Sequence, residues 1–319
     1  MENQTISRGF HLYLLFNNGE KRLDFSIVIL WIYLIGMLGN LVILTVICND
    51  VHLHTPMYFF LCTLAFVDIC YPTVTLPKLM DILLSGNNSI SFIQCFTQMY
   101  FFTALAVIET IVLSSMAYDR YVAICKPLRY HLIMNRRVCV LVIVGTWILG
   151  FVNASFITDL ASKLLYGQTN QINQLFCDVI GLAKIAASDT TIFYNVIYME
   201  VFLFGIMTFS LNLVTYINII NSILQIKSKH GKRKTFSTCT SHFTVLIIFY
   251  GSAFWMYMRP PSESENLDPV FSVFYVGVTP MLNPLIYSLR NKEVKNAVIR
   301  IILRIGYRSE FNCLSFKQP

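Results

Sequence analysis

Two carboxylates, Asp68 and Glu109, stand deep inside apolar runs, and the amides Asn40 and Asn283 stand at comparable depth in two others. An ionised carboxylate in hydrocarbon costs about 2.5–3.5 kcal/mol on insertion scales, so these groups should face the interior of a helix bundle, share protons or hold a cation. The plain alternative is a structural network that joins helices and does nothing further. The stretch "MAYDRYVAIC", Met116 to Cys125, sets Asp119 beside Arg120 at the end of another apolar run. Adjacent helical residues point about 100° apart, so the two do not stack as an i,i+4 pair does, and Arg120 is free to reach elsewhere. A guanidinium held loosely at a membrane edge suits a two-position switch. Hydrolysis is not on offer. There is no HExxH, no grouped serine, histidine and acid, and no cofactor or metal motif, so the chain reads as no enzyme. A transporter or channel would need inverted repeats or a continuous polar path, and neither is visible.

The elements that hold these residues are long apolar helices. Of 319 residues, 55% are hydrophobic and 13% charged, whereas a soluble domain carries about 25% charged residues. Crossing about 30 Å of hydrocarbon takes ~20 helical residues. The sequence supplies seven such spans: Phe25–Cys48, Met57–Met80, Cys95–Ile124, Val138–Ile157, Thr191–Ile226, Phe236–Met258 and Pro269–Leu289. The expected fold is therefore all-α, a seven-transmembrane helix bundle over residues 25–290. A tail of residues 1–24 precedes it, and residues 291–319 form an inner helix and tail.

Lysine and arginine in short loops set the orientation. The first span casts no clear vote, with Lys21 and Arg22 before it and only His52 and His54 behind. Lys126, Arg129, Arg136 and Arg137 follow span three, and Lys227, Lys229, Lys232, Arg233 and Lys234 follow span five. Arg290, Lys292, Lys295, Arg300, Arg304, Arg308 and Lys317 follow span seven, against Lys78, Lys163, Lys184 and Arg259 on the other face. The C-terminus is thus expected inside and the N-terminus outside. The net charge of +7 is a topology signal facing anionic lipid, and nucleic acid is excluded as a partner. "FHLYLLF", Phe10–Phe16, lacks a basic flank and a cleavage site and reads as a mature segment.

Cys95 precedes Arg120 by 25 residues, about 37 Å of helix, which carries it to the outer, oxidising interface. Cys177, in the long outer loop, is its candidate partner, the alternative being two free thiols. Asn3 and Asn87 head glycan acceptor triplets on the outer face, whereas Asn153 heads one inside a helix and reads as a chance match.

"PMYFFL" (Pro56–Leu61), "MAYDRYVAIC", "KTFSTCTSH" (Lys234–His242) and "PMLNPLIYSLRN" (Pro280–Asn291) occur in that order along essentially the whole chain. With them the chain resembles a vertebrate odorant receptor, a rhodopsin-like G-protein-coupled receptor. "FYGSAFWMYMRPPS" looks like the larger, tetrapod-type class of that family. The resemblance implies a small volatile odorant bound among spans three, five, six and seven, and an outward swing of span six. It also implies coupling to an olfactory stimulatory G protein, with a rise in cyclic AMP, from the plasma membrane of olfactory cilia.

Carried over by the resemblance, the pocket takes Phe102, Thr103, Ala106 and Val107 from span three and Glu200 and Phe204 from span five. Tyr250, Ala253 and Tyr257 come from span six, and Val273 and Val276 from span seven. The switch comprises Asp119, Arg120, Tyr121, Tyr216, His242, Asn283, Pro284 and Tyr287, with His242 and Glu109 in polar contact between spans three and six. Prolines at 280 and 284 make span seven bendable. Glu200 is expected either to face the pocket and favour amine or hydrogen-bond-donating odorants, or to face a neighbouring helix. Departures from the family are a missing second cysteine pair in the outer loop, with Ala187 at one place, and Ala65, Thr215 and Asn218. "NKEVKNAVIRIILRIG" sets Val294, Ala297, Val298, Ile301 and Ile302 at helical spacing, an interfacial helix on the inner leaflet. Cys313 reads as a free thiol. A rhodopsin-like receptor for a non-odorant small molecule is the alternative.

Overall fold

The computed structural model describes residues 9–13, 19–167, 170–225, 228–257, 272–290 and 293–300. Span one is a helix over Gly19–Asn49, starting ahead of the expected Phe25. Span two is Pro56–Ser85, span three Phe92–Cys125 and span four Arg136–Ser162. Span five runs from Thr191 to Leu224 through a π-helical stretch, Val201–Met207. Span six is Lys229–Tyr257, beginning before the expected Phe236. Span seven joins a π-helical stretch, Phe274–Val278, to Thr279–Arg290. The first five are long and apolar enough to cross a membrane; in the last two the described apolar helices are His242–Trp255 and Phe274–Ile286.

Local chemistry sets the helix ends. Ser91 and Gln94 form a reciprocal capping box at the start of span three. Asn135 Oδ1 accepts from the Val138 amide at the start of span four. Span two begins with Pro56 and stops at Gly86, which takes the left-handed φ of 73° that a residue with a Cβ resists.

Span three is buried around most of its circumference, while spans one, four and five each bury one face. Their other faces carry exposed Leu38, Leu141, Val152 and Leu211, as lipid-facing helices do. Without a hydrophobic drive between helices in lipid, close approach depends on small residues. Gly39 abuts Pro284, and Gly150 abuts Ile108 and the Ala104 carbonyl.

At the end that carries Cys95, a small sheet departs from the purely helical expectation. Strand β1 (Gly9–Leu12) lies between β2 (Ser89–Ser91), antiparallel, and β3 (Gln171–Ile172), parallel. Phe10 and Leu12 are fully buried in a second core with Ile90, Met99, Ile157 and Ile172. At the opposite end residues 293–300 are helical, with Val294 and Ala297 fully buried. Two polar links hold that helix. Tyr58 Oη donates to Glu293 Oε2 at 2.7 Å, and Arg300 gives Nε and Nη2 to Asp50 Oδ2 at 2.9 and 2.5 Å.

Candidate functional site

The expected polar residues gather in the middle of the bundle. Asn283 Nδ2 donates to both oxygens of Asp68, at 3.1 and 2.9 Å, so spans two and seven are joined. Glu109 is buried within electrostatic reach of Asp68, and its Oε1 has no hydrogen-bond partner among the described residues. Asn40 Nδ2 donates to the carbonyls of Gly36 at 3.0 Å and Pro280 at 3.1 Å. Pro284 has no N–H to offer the Pro280 carbonyl one turn earlier, and Asn40 takes that acceptor instead. Span one is thereby tied to the bend of span seven.

At the basic end the structure corrects one expectation. Arg120 is not loosely held: it folds back to pair with fully buried Asp119 through Nη2, with Nε at 3.0 Å from the same oxygen. A long, flexible side chain closes the angle that separates the two on the helix. The phenol of Tyr130, in the loop beyond span three, donates to the other Asp119 oxygen at 2.9 Å. Tyr121 lies half-buried under the Lys126 ammonium, 5.4 Å from its ring centre. His242 Nδ1 is hydrogen-bonded to Tyr216 Oη, with the rings stacked. Among the described residues His242 and Glu109 make no hydrogen bond to each other: His242 turns to Tyr216 of span five and lies against the Leu113 backbone of span three, while Glu109 lies toward Asp68. The side chain of Tyr287 lies outside the described residues.

Between the two ends lies an apolar cavity of about 140 Å³. Span three contributes Phe102, Thr103, Ala106, Val107 and Thr110; span five contributes Ile197, Glu200, Val201 and Phe204 through Ile206. Phe249, Tyr250, Ala253 and Phe254 come from span six, Tyr275 from span seven, and Val179 from the loop above. The π-helical stretch of span five widens its turn here, so Val201, Gly205 and Ile206 all reach the lining. Val273 and Val276 lie elsewhere, in a second, far smaller cavity of about 10 Å³ with Phe176 and Leu76. Phe102 of the larger cavity is tilted against Phe176 of the smaller one at 4.8 Å and against Tyr71 at 5.0 Å. The Tyr257 side chain lies outside the described residues.

The loop that supplies Val179 is fastened by a disulfide between Cys95 and Cys177. Gln98, one turn below Cys95, adds a second fastening, accepting from the Cys177 amide at 2.8 Å and donating to the Val74 carbonyl at 3.0 Å. Asp178 caps the short helix Val179–Ile185 through the Gly181 amide; burial pushes its carboxyl up to about 6 against that hydrogen bond. Asn87 is exposed, and its Oδ1 accepts from the Ser89 amide. Asn3 lies outside the described residues.

The fold has a counterpart among solved structures. A crystal structure of squid rhodopsin superimposes with a TM-score of 0.72 over 89% of this chain and 81% of that one, at 16% identity, a likeness of fold. The family model described as olfactory receptor matches residues 29–305. The chain belongs to the olfactory receptor family. It is 45% identical to human olfactory receptor 8H1 over 95% of this chain and 97% of that protein. It is 42% identical to mouse olfactory receptor 5B21 over 98% of each. As a member of this family it is a multi-pass membrane receptor and not an enzyme.

Sequence reasoning named Tyr250 but missed the polar partners behind it in this olfactory receptor, Thr208, Asn212 and Ser114. Tyr250 Oη donates to Thr208 Oγ1 at 2.9 Å and accepts from Asn212 Nδ2 at 3.0 Å, and Asn212 also reaches Ser114 Oγ at 3.1 Å. Thr208, Asn212 and Tyr216 stand four apart on span five, a stripe of hydrogen-bonding side chains along one face, which is the signal that could have found them. Glu200 does two things at once. It lines the cavity, and its Oε1 accepts a hydrogen bond from Asn153 Nδ2 of span four.

Proposed function

We propose that this receptor binds small volatile odorants in the cavity among spans three, five, six and seven, and so activates an olfactory stimulatory G protein, raising cyclic AMP. The N-terminus and the disulfide-tethered loop face outward and the Asp119–Arg120 end faces the cytosol, at the plasma membrane of olfactory cilia. The observation that carries this reading is the apolar cavity itself, about 140 Å³, under a fastened loop in a chain of this family. An apolar cavity near 150 Å³ takes up benzene, so the expected ligands have on the order of six to ten heavy atoms. Burying roughly 200 Å² of apolar ligand surface yields about 5 kcal/mol, a dissociation constant in the upper micromolar range, with selectivity set by shape. Asp68, Asn283, Asn40 and Pro284 support the bend of span seven in this reading. Asp119, Arg120, Tyr121, Tyr216 and His242 support coupling.

The test expresses the receptor with the olfactory G protein, applies a chemically diverse volatile panel and reads cyclic AMP. Members of the panel should activate it. Ala106→Trp, which fills the cavity from span three, should abolish those responses at undiminished surface level. A panel without one activating compound, or an Ala106→Trp receptor that responds like the unchanged one, defeats the reading.

A further inference from the structure

Glu200 is the one carboxyl among the described cavity-lining residues, in a wall otherwise built from aromatic, aliphatic and hydroxyl side chains. Hydroxyl groups in the wall, those of Thr110 and Tyr250, are already committed. Thr110 Oγ1 donates to the Ala106 carbonyl at 2.8 Å, and Tyr250 Oη is shared between Thr208 and Asn212. Glu200 is half committed. Asn153 engages Oε1, and no described residue engages Oε2. The side chain is neither fully buried nor exposed, so this oxygen is not sealed off by packing. An acceptor left idle in an apolar cavity is the feature a ligand with a matching donor would satisfy.

We infer that Glu200 Oε2 receives an O–H or N–H donor from the ligand, so that the receptor selects small alcohols and amines with an apolar body over hydrocarbons and ethers of equal size. Asn153 engages only the first oxygen and takes no part in the ligand contact. The inference rests on the cavity being the ligand site. An alcohol can pair with the carboxyl in either of its protonation states, because a neutral carboxyl still accepts and an ionised one accepts more strongly. An ether can pair only with the protonated form, which makes it the discriminating comparison.

The experiment uses the full-length receptor in cells and one carbon skeleton of about six to eight carbons, presented as alkane, methyl ether, alcohol and primary amine. Potencies are compared as ratios within each variant, so that differences in surface level cancel. In the unchanged receptor the alcohol and amine should each be about tenfold more potent than the ether. Glu200→Met, close in shape and without an acceptor, should bring the alcohol-to-ether ratio to within about twofold. Glu200→Gln carries no charge and, with its one oxygen held by Asn153, turns an NH2 donor inward: it should bring the alcohol-to-ether ratio near unity and cost the amine about tenfold. Asn153→Ala should retain the alcohol preference. If Glu200→Met fails to reach the surface, the Glu200→Gln amine ratio decides.

Equal potency of ether and alcohol in the unchanged receptor overturns the inference. So does a Glu200→Met receptor that weakens every ligand with ratios intact, or an Asn153→Ala receptor that flattens the ranking as Glu200→Met does. Glu200 would then be only a tie to span four. Failure of the cavity reading looks different, because no skeleton would activate the receptor or Ala106→Trp would leave its responses untouched.

Discussion

Single side chains decide how closely these helices approach. A Cβ on Gly150 would lie 2.6 Å from Ile108 Cγ1 and 2.9 Å from the Ala104 carbonyl oxygen. The carbonyl belongs to span three's own ladder and cannot turn aside. Gly145, on the same helix, would meet nothing within 4 Å. Gly150→Ala should therefore destabilise the receptor by about 1–3 kcal/mol through overpacking. Gly145→Ala should be neutral or gain about 0.5–1 kcal/mol from helix propensity. Thermal unfolding of the detergent-solubilised receptor, followed by a thiol-reactive dye, measures both. Equal effects of the two substitutions would show that span four does not depend on this contact. Asn40 obeys similar logic. It takes the Pro280 carbonyl that Pro284 leaves without a donor, so the bend of span seven carries no orphaned acceptor at that point.

Strand β1 works as a strap of few residues at the disulfide end. Phe10 is fully buried, edge-on to Phe92 at 4.5 Å and to Tyr166 at 5.1 Å, so it joins the start of span three to the loop beyond span four. Only glycine fits at position 9, where a Cβ would come within 2.3 Å of the Ile90 carbonyl oxygen. Phe10→Ala should cost about 3–5 kcal/mol, lowering the melting temperature and the surface level while helical content by circular dichroism stays constant. An unaltered melting temperature would mean that the strap is not part of the folded core. The sequence could not reveal it, because "FHLYLLF" shows an apolar segment but not its partners, and Gly9 pairs with Ser91 across the whole of two spans. The spans were legible for the opposite reason, since a helix in lipid satisfies its backbone locally and leaves a long apolar run as its trace. Four of the five cavity residues on span three could be named beforehand by resemblance, but only two of six on span five and two of four on span six. Val273 and Val276 could not be placed correctly, because the π-helical stretch Phe274–Val278 rotates span seven relative to a regular helix. Glu200's tie to Asn153 was equally out of reach, as side-chain contacts between spans four and five leave no periodic signal.

Across the whole molecule the cavity and the basic end are some helical turns apart, and only an equilibrium between two arrangements can connect them. The structure shows one arrangement: Arg120 is closed on Asp119, and Tyr216 is bonded to His242 rather than to Arg120. Tyr130 supports it from the loop by donating to Asp119. Burial and the adjacent Asp119 carboxylate push the Tyr130 phenol above its usual range, so it remains a donor at any physiological pH. A hydrogen bond to a charged acceptor is worth about 1.5–3 kcal/mol, made here only while Asp119 stays in place. On the proposed reading, Tyr130→Phe removes that support from the closed state alone and should raise ligand-independent cyclic AMP about tenfold at equal surface level. Linkage requires a companion effect: an equilibrium displaced toward the open state lowers the odorant concentration needed for half-maximal response. Both changes should appear together. Raised basal signal with unshifted odorant potency would place Tyr130 in G-protein contact instead, and no change in either would separate the Asp119 hydrogen bond from the switch altogether.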